Sequence, residues 1–130
     1  MSPIKMQRIE SGLRLALDLV SFINTRALGS ILGLLSEGCV VESEGRAPSD
    51  SVFKGAAEIR GYFVALFAKK KGLVLRVEEL FGFGHRCVAA WEGGWEENGS
   101  RQTLRGIFIV QEKNDKIDKV SIYTKSGKGE

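Results

Sequence analysis

The sequence predicts an α+β domain, with helices in its first half and consecutive hairpins of an antiparallel sheet in its second. Three observations predict it. Apolar residues recur with helical spacing at Leu28, Ile31, Leu32 and Leu35, and again at Ile59, Tyr62, Phe63, Leu66 and Phe67. After Gly72 the period falls to two, Leu73, Leu75 and Val77 alternating with Val74, Arg76 and Glu78. Glu96-Glu-Asn-Gly99 and Lys113-Asn-Asp115 then punctuate strand-like runs as hairpin turns do. Helices first and hairpins afterwards is the order of a sheet covered on one face.

Each element has its own reason. Gln7 to Thr25 reads as a helix with one apolar row of Ile9, Leu13, Ala16, Leu17, Val20 and Ile23 and a second of Leu15, Leu19 and Phe22. Only Arg14, Asp18, Ser21 and Thr25 form a polar stripe, so this helix meets neighbours on more than one side. A short second helix carries Leu28 to Leu35, and Gly38 is placed to stop it. Cys39 to Ser43 reads as a strand, and Glu44 to Ser51, with Gly45, Pro48 and Asp50, as a loop. Ala56 to Lys71 is a third amphipathic helix ended by Gly72. Strands follow from Leu73, from Arg86 to Trp95 after the turn Gly82-Phe-Gly84, from Arg101 to Glu112 and from Lys116 to Thr124. Ser126 to Glu130 reads as a loose tail.

Composition bounds the function. The 130 residues are one domain's worth, without internal repeat or linker. The charge is +3, spread along the chain. Its one dense cluster, Lys69-Lys70-Lys71, complements a helix C-terminus. No aromatics interleave with it, so nucleic acid is not an expected partner. No apolar run is long enough to cross a membrane, and Arg14 and Asp18 interrupt the one near the N-terminus. Cys39 and Cys87 sit in apolar surroundings and read as reduced core thiols of a cytoplasmic protein rather than a disulfide. With one histidine in the chain and no metal spacing, neither a metal nor another cofactor is expected.

The stretches Asn24 to Ser43, Gly55-Ala-Ala-Glu-Ile59, Leu104-Arg-Gly-Ile-Phe-Ile-Val110 and Lys116-Ile-Asp-Lys-Val-Ser-Ile122, in this order, resemble the SnoaL-like and ketosteroid-isomerase-like superfamily, which shares its fold with nuclear transport factor 2. The resemblance spans about residues 8–124. It implies a cone: a strongly curved, mostly antiparallel sheet wrapped around three helices. It does not imply one chemistry, because members are isomerases, cyclases, dehydratases, epoxide hydrolases or proteins with no reaction. Ketosteroid isomerases use an aspartate base, with a tyrosine and a protonated acid that stabilise an enolate; the acid keeps its proton because an apolar site raises its pKa. Carried onto this chain, the base falls at Ser43, the tyrosine at Leu19 and the acid at Gly106. None of the three has the needed group, which argues against that reaction. A one-residue slip would place Glu42 at the base position, at the expense of reversed strand alternation.

Gly106 and Gly93 withdraw side chains from one wall of the expected cone, and Ala89, Trp91 and Trp95 share the parity of Gly93 while Leu104 and Phe108 share that of Gly106. This alternation suits a pocket for a small apolar molecule, lined by Leu19, Phe22, Ser43, Phe63, Phe67, Trp91, Gly93, Trp95, Gly106 and Phe108. Two further arrangements are open: indoles that plug the cone, and indoles that face outward to a partner. The opposite parity of Ile107, Ile109 and Tyr123 would leave an apolar outer face for a homodimer. A third reading is a hydrolase or lyase with His85 or Glu42 as base.

Overall fold

The computed structural model describes residues 3–43 and 51–126. Of the expected loop at 44–51 and tail at 126–130, residues 44–50 and 127–130 lie outside the described residues, and Ser126 belongs to the last strand rather than to a tail. The chain runs α1 (Pro3–Asn24), α2 (Leu28–Gly33), β1 (Leu35–Ser43), β2 (Val52–Lys54), α3 (Gly55–Lys69), β3 (Val74–Phe83), β4 (Arg86–Glu97), β5 (Ser100–Lys113) and β6 (Lys116–Ser126). The strands form one six-stranded sheet in the order β2-β1-β6-β5-β4-β3. The β1–β6 pair is parallel and the other pairs are antiparallel. The sheet stays open as a cone whose inner face takes the helices.

Hairpin chemistry sets the registers. Asn98 and Gly99 both have positive φ (54° and 80°), as do Asn114 and Asp115 (52° and 65°). Paired left-handed residues make the tight turns whose twist matches the flanking strands. Asp115 holds its strained conformation because its carboxylate takes hydrogen bonds from Ser11 and Arg14 of α1. That carboxyl is held below its ordinary range, first by Ser11 and then by the Arg14 guanidinium. The turn between β5 and β6 is thereby tied to the first helix.

The core is the inner face of the sheet against α1 and α3. Leu15, Leu19 and Ile23 of α1 meet Cys87, Ala89, Val110 and Ile117 from the strands, all nearly free of solvent. Each large apolar side chain among them contributes roughly 1.5–3 kcal/mol of transfer free energy. Leu17, expected in the apolar row of α1, is 45% exposed, because the sheet does not cover the full arc of that helix. At the end of α1 the Asn24 carboxamide pairs with the backbone of β3 in both directions. Nδ2 donates to the Leu75 oxygen at 2.9 Å, and the Leu75 amide donates to Oδ1 at 2.7 Å.

Several boundaries differ from the sequence reading. Gly38 does not stop α2. The helix closes earlier, where the Leu34 amide bonds to the Ile31 oxygen. The Leu34 oxygen then accepts from the Ile117 amide at 2.8 Å, so pairing with β6 takes over and Gly38 lies inside β1. Helical spacing at Leu35 was overridden by this long-range pairing. The strand β2 is too short to leave a period, and β3 continues through Gly82 to Phe83, leaving Gly84 and His85 as the turn. At the start of α3 the Lys54 amide donates to Glu58 Oε1 at 2.7 Å, which satisfies one of the free donors there. At its end Gly72, with φ +72°, releases the chain into β3.

Candidate functional site

Between α3 and the inner face of the sheet lies a cavity of about 230 Å³. Tyr62, Phe63 and Leu66 of α3 border it, with Lys70, the residue that caps the helix. They stand at helical spacing, and Lys70 continues the stripe one turn beyond Leu66. Across from them are Ser43 at the end of β1, Leu75, Trp91, Leu104 and Phe108, with Ile122 and Thr124 from β6. The wall is mainly aliphatic and aromatic. Trp91 and Phe108 pack with ring centroids 5.2 Å apart, and Tyr62 and Phe63 at 5.1 Å.

Its polar groups are few. The Tyr62 hydroxyl is hydrogen-bonded to Ser43; burial pushes the phenol pKa up and that bond pulls it partly back. Lys70 is half-buried, its Nζ 4.8 Å over the Trp95 ring. Burial lowers its pKa, Lys69 lowers it further, and Glu97 opposes both. Trp91 Nε1 is buried with no hydrogen-bond partner among the described residues. An orphaned buried donor costs about 1–3 kcal/mol.

Of the residues expected to line a pocket, Ser43, Phe63, Trp91 and Phe108 border this cavity. Leu19 is packed into the core at 1% exposure, and Phe22 is half-buried away from the cavity. Phe67 is also outside its lining, its ring covered by the Arg26 guanidinium at 5.7 Å. Trp95 is buried but stands behind Lys70, with Nε1 donating to Glu97 at 3.3 Å.

The two glycines do not open space as the sequence suggests. A Cβ on Gly106 would stand 2.5 Å from Trp91 Cζ2 and 2.7 Å from Cη2. Gly106 pairs directly with Trp91 across β4 and β5, so the glycine is the seat of the indole. A Cβ on Gly93 would meet Leu75, Leu73 and Trp91 at 3.0–3.3 Å. Both vacancies are filled by neighbours.

Neither expected base reaches the cavity. Cys39 and Val41 point inward, so Glu42 points to the other face, where it pairs with Lys119 at 3.2 Å. His85 is exposed in the turn after β3, beside a surface groove with Gln111, Glu112 and Asp118. Among the described residues bordering the cavity there is no carboxylate and no imidazole. A hydroxyl pair, a threonine and an ammonium can orient a ligand and donate hydrogen bonds to it.

The sequence reading missed Lys70 and Thr124 as cavity residues and saw Tyr62 only as helix packing. The signals were present: Phe63, Leu66 and Lys70 share one helical face, and Val120, Ile122 and Thr124 share one strand parity.

Residues 16–120 match the family described as a SnoaL-like domain. No curated protein matches the chain. Among solved structures, Bal32a from a soil-derived mobile gene cassette superposes with a TM-score of 0.79 at 14% identity, over 90% of this chain and 91% of that one. An LEH-like epoxide hydrolase of M. tuberculosis gives 0.74 at 9% identity, covering 90% and 84%. RV0760c of Mycobacterium tuberculosis, in complex with estradiol-17beta-hemisuccinate, gives 0.75 at 19% identity, covering 86% and 92%. At these identities the likeness is one of fold.

Proposed function

The chain belongs to the SnoaL-like domain family, and from that premise we propose that it binds a small, flat, apolar molecule in the cavity beneath α3. The observation that carries this reading is the cavity itself: an apolar wall with a few convergent polar groups, Ser43, Tyr62, Lys70 and Thr124. Size narrows the ligand. An apolar cavity of about 150 Å³ takes benzene, and drug-sized ligands occupy about 300 Å³ or more. A volume of about 230 Å³ therefore suits one or two rings. A steroid ester such as the one in the RV0760c complex would keep part of its body outside. The lining supplies hydrogen-bond donors and hydroxyls rather than a strong base, so holding and orienting a ligand is the task it suits.

Trp91 reports on the cavity from its wall. Titration with one-ring and two-ring aromatic and terpenoid compounds is expected to change tryptophan emission saturably. No response across a panel extending to steroid-sized compounds would remove the proposal.

A specific observation favours a homodimer as well. On the outer face Phe81, Val88, Ile109 and Ala90, Ile107, Tyr123 lie in two adjacent cross-strand rows. Phe81 is 51% and Tyr123 42% exposed. A second copy would cover this stripe. Solution scattering at a monomer's mass would end that reading. Two free buried thiols fit a reducing compartment such as the cytoplasm.

A further inference from the structure

The charges and hydrogen-bonding groups around the cavity are unbalanced. Among the described residues that border it, Lys70 is a cation and none is an anion. An ammonium and an indole N–H donate and cannot accept. The Trp91 N–H has no partner among the described residues, at a residue 4% exposed. Lys70 has no carboxylate within ion-pair distance among the described residues. Glu97 acts on it from further off and already accepts from Trp95. Lys69 and Lys71, beside it in sequence, are exposed, whereas Lys70 folds over the Trp95 ring at the cavity. A ring face attracts an ammonium without neutralising it. A partly desolvated cation at the edge of an apolar chamber favours a ligand that brings the missing negative charge.

We infer that the cavity selects a small apolar acid, its ring body against Trp91 and Phe108 and its carboxylate on the Lys70 ammonium. This rests on the cavity reading above and adds the chemical class of the ligand.

The test uses two probes of matched shape, 2-naphthoate and the neutral 2-naphthalenemethanol, followed by tryptophan emission and by calorimetry. Three proteins are compared: the full chain, Lys70→Met and Lys71→Met, each checked for fold by circular dichroism. The full chain is expected to prefer the acid by about tenfold or more, the scale of a hydrogen bond to a charged group. Lys70→Met should lose that preference while still binding the alcohol, and Lys71→Met should keep it. Should Lys70→Met fail to fold, Lys70→Gln takes its place. Equal binding of acid and alcohol by the full chain overturns the inference and leaves the cavity reading standing. So does a preference that survives loss of the Lys70 charge. Binding of neither probe overturns the inference too, and the wider neutral panel then decides the cavity reading separately.

Discussion

Two halves of the inner surface meet at Trp91 and pack differently. Along β4 and β5, Trp91 lies across Gly106 and against Gly93, whose missing side chains are replaced by the indole and by Leu73 and Leu75. Beneath α3, Tyr62, Phe63, Leu66 and Lys70 face Ser43, Leu104 and Thr124 across about 230 Å³ of space. The first half has the two glycines and is closed around them by large neighbours. The second, which Trp91 and Leu75 also border, has no glycine among its described lining residues and is hollow. A glycine beside a cross-strand aromatic is a seat for the ring, and it enlarges nothing. Hollowness comes from a helix held away from a sheet by large side chains that do not interdigitate.

The contrast predicts a graded series. Trp91→Ala empties the closed half and should cost most, about 3–5 kcal/mol in urea unfolding. A much smaller loss would mean the indole is not packed as described. Gly106→Ala comes next, since the new methyl meets the Trp91 ring and stands 2.8 Å from the Tyr123 backbone oxygen. Overpacking of this kind costs about 1–3 kcal/mol. Gly93→Ala should cost less, because the ends of Leu73 and Leu75 can turn aside; a reversed order would break the comparison. In the hollow half, Leu104→Phe should change stability by under about 1.5 kcal/mol, since the added volume has room. The same change should abolish the emission response to a bound aromatic. Retained binding would place the ligand elsewhere.

The smallest effect is one of pH. Burial raises the Cys87 thiol from 9.0 to about 11. Burial, and then the Asp118 carboxylate, raises Cys39 to about 12. Folding thus favours the neutral thiols. Their contribution is full below pH 9.0, where the unfolded chain also keeps its protons. It is lost progressively as pH rises from there towards the folded values. Unfolding free energy is expected to fall above pH 9.0, and to fall less steeply in Cys87→Ala. Identical slopes in the two proteins would contradict a shifted Cys87.

Much of this architecture was legible. The change of period after Gly72 and the turns at Asn98-Gly99 and Asn114-Asp115 announce the hairpins, because local φ preferences decide them. The parity of Ile107, Ile109 and Tyr123 correctly assigns them to the outer face. What was not legible depends on distant partners. The end of α2 is decided by Ile117, far away in sequence, and the fate of Gly106 by how Trp91 turns. Pattern gives the face on which a residue stands and not whether the space in front of it is occupied. Lys70 was hidden by its company: in a run of three lysines its neighbours are solvated, and only its place on the stripe of Phe63 and Leu66 separates it.

The Asn24 carboxamide has one more effect. The strand it grips, β3, forms a margin of the sheet, where unpaired peptide groups could recruit a strand from another molecule. By engaging both the N–H and the C=O of Leu75, a single side chain imitates the neighbour that such a recruit would supply. Further along, the register shift between Val77 and Glu79 bends the same border. Fibrillar growth from it is thereby obstructed at two points, one of them by a side chain borrowed from a helix.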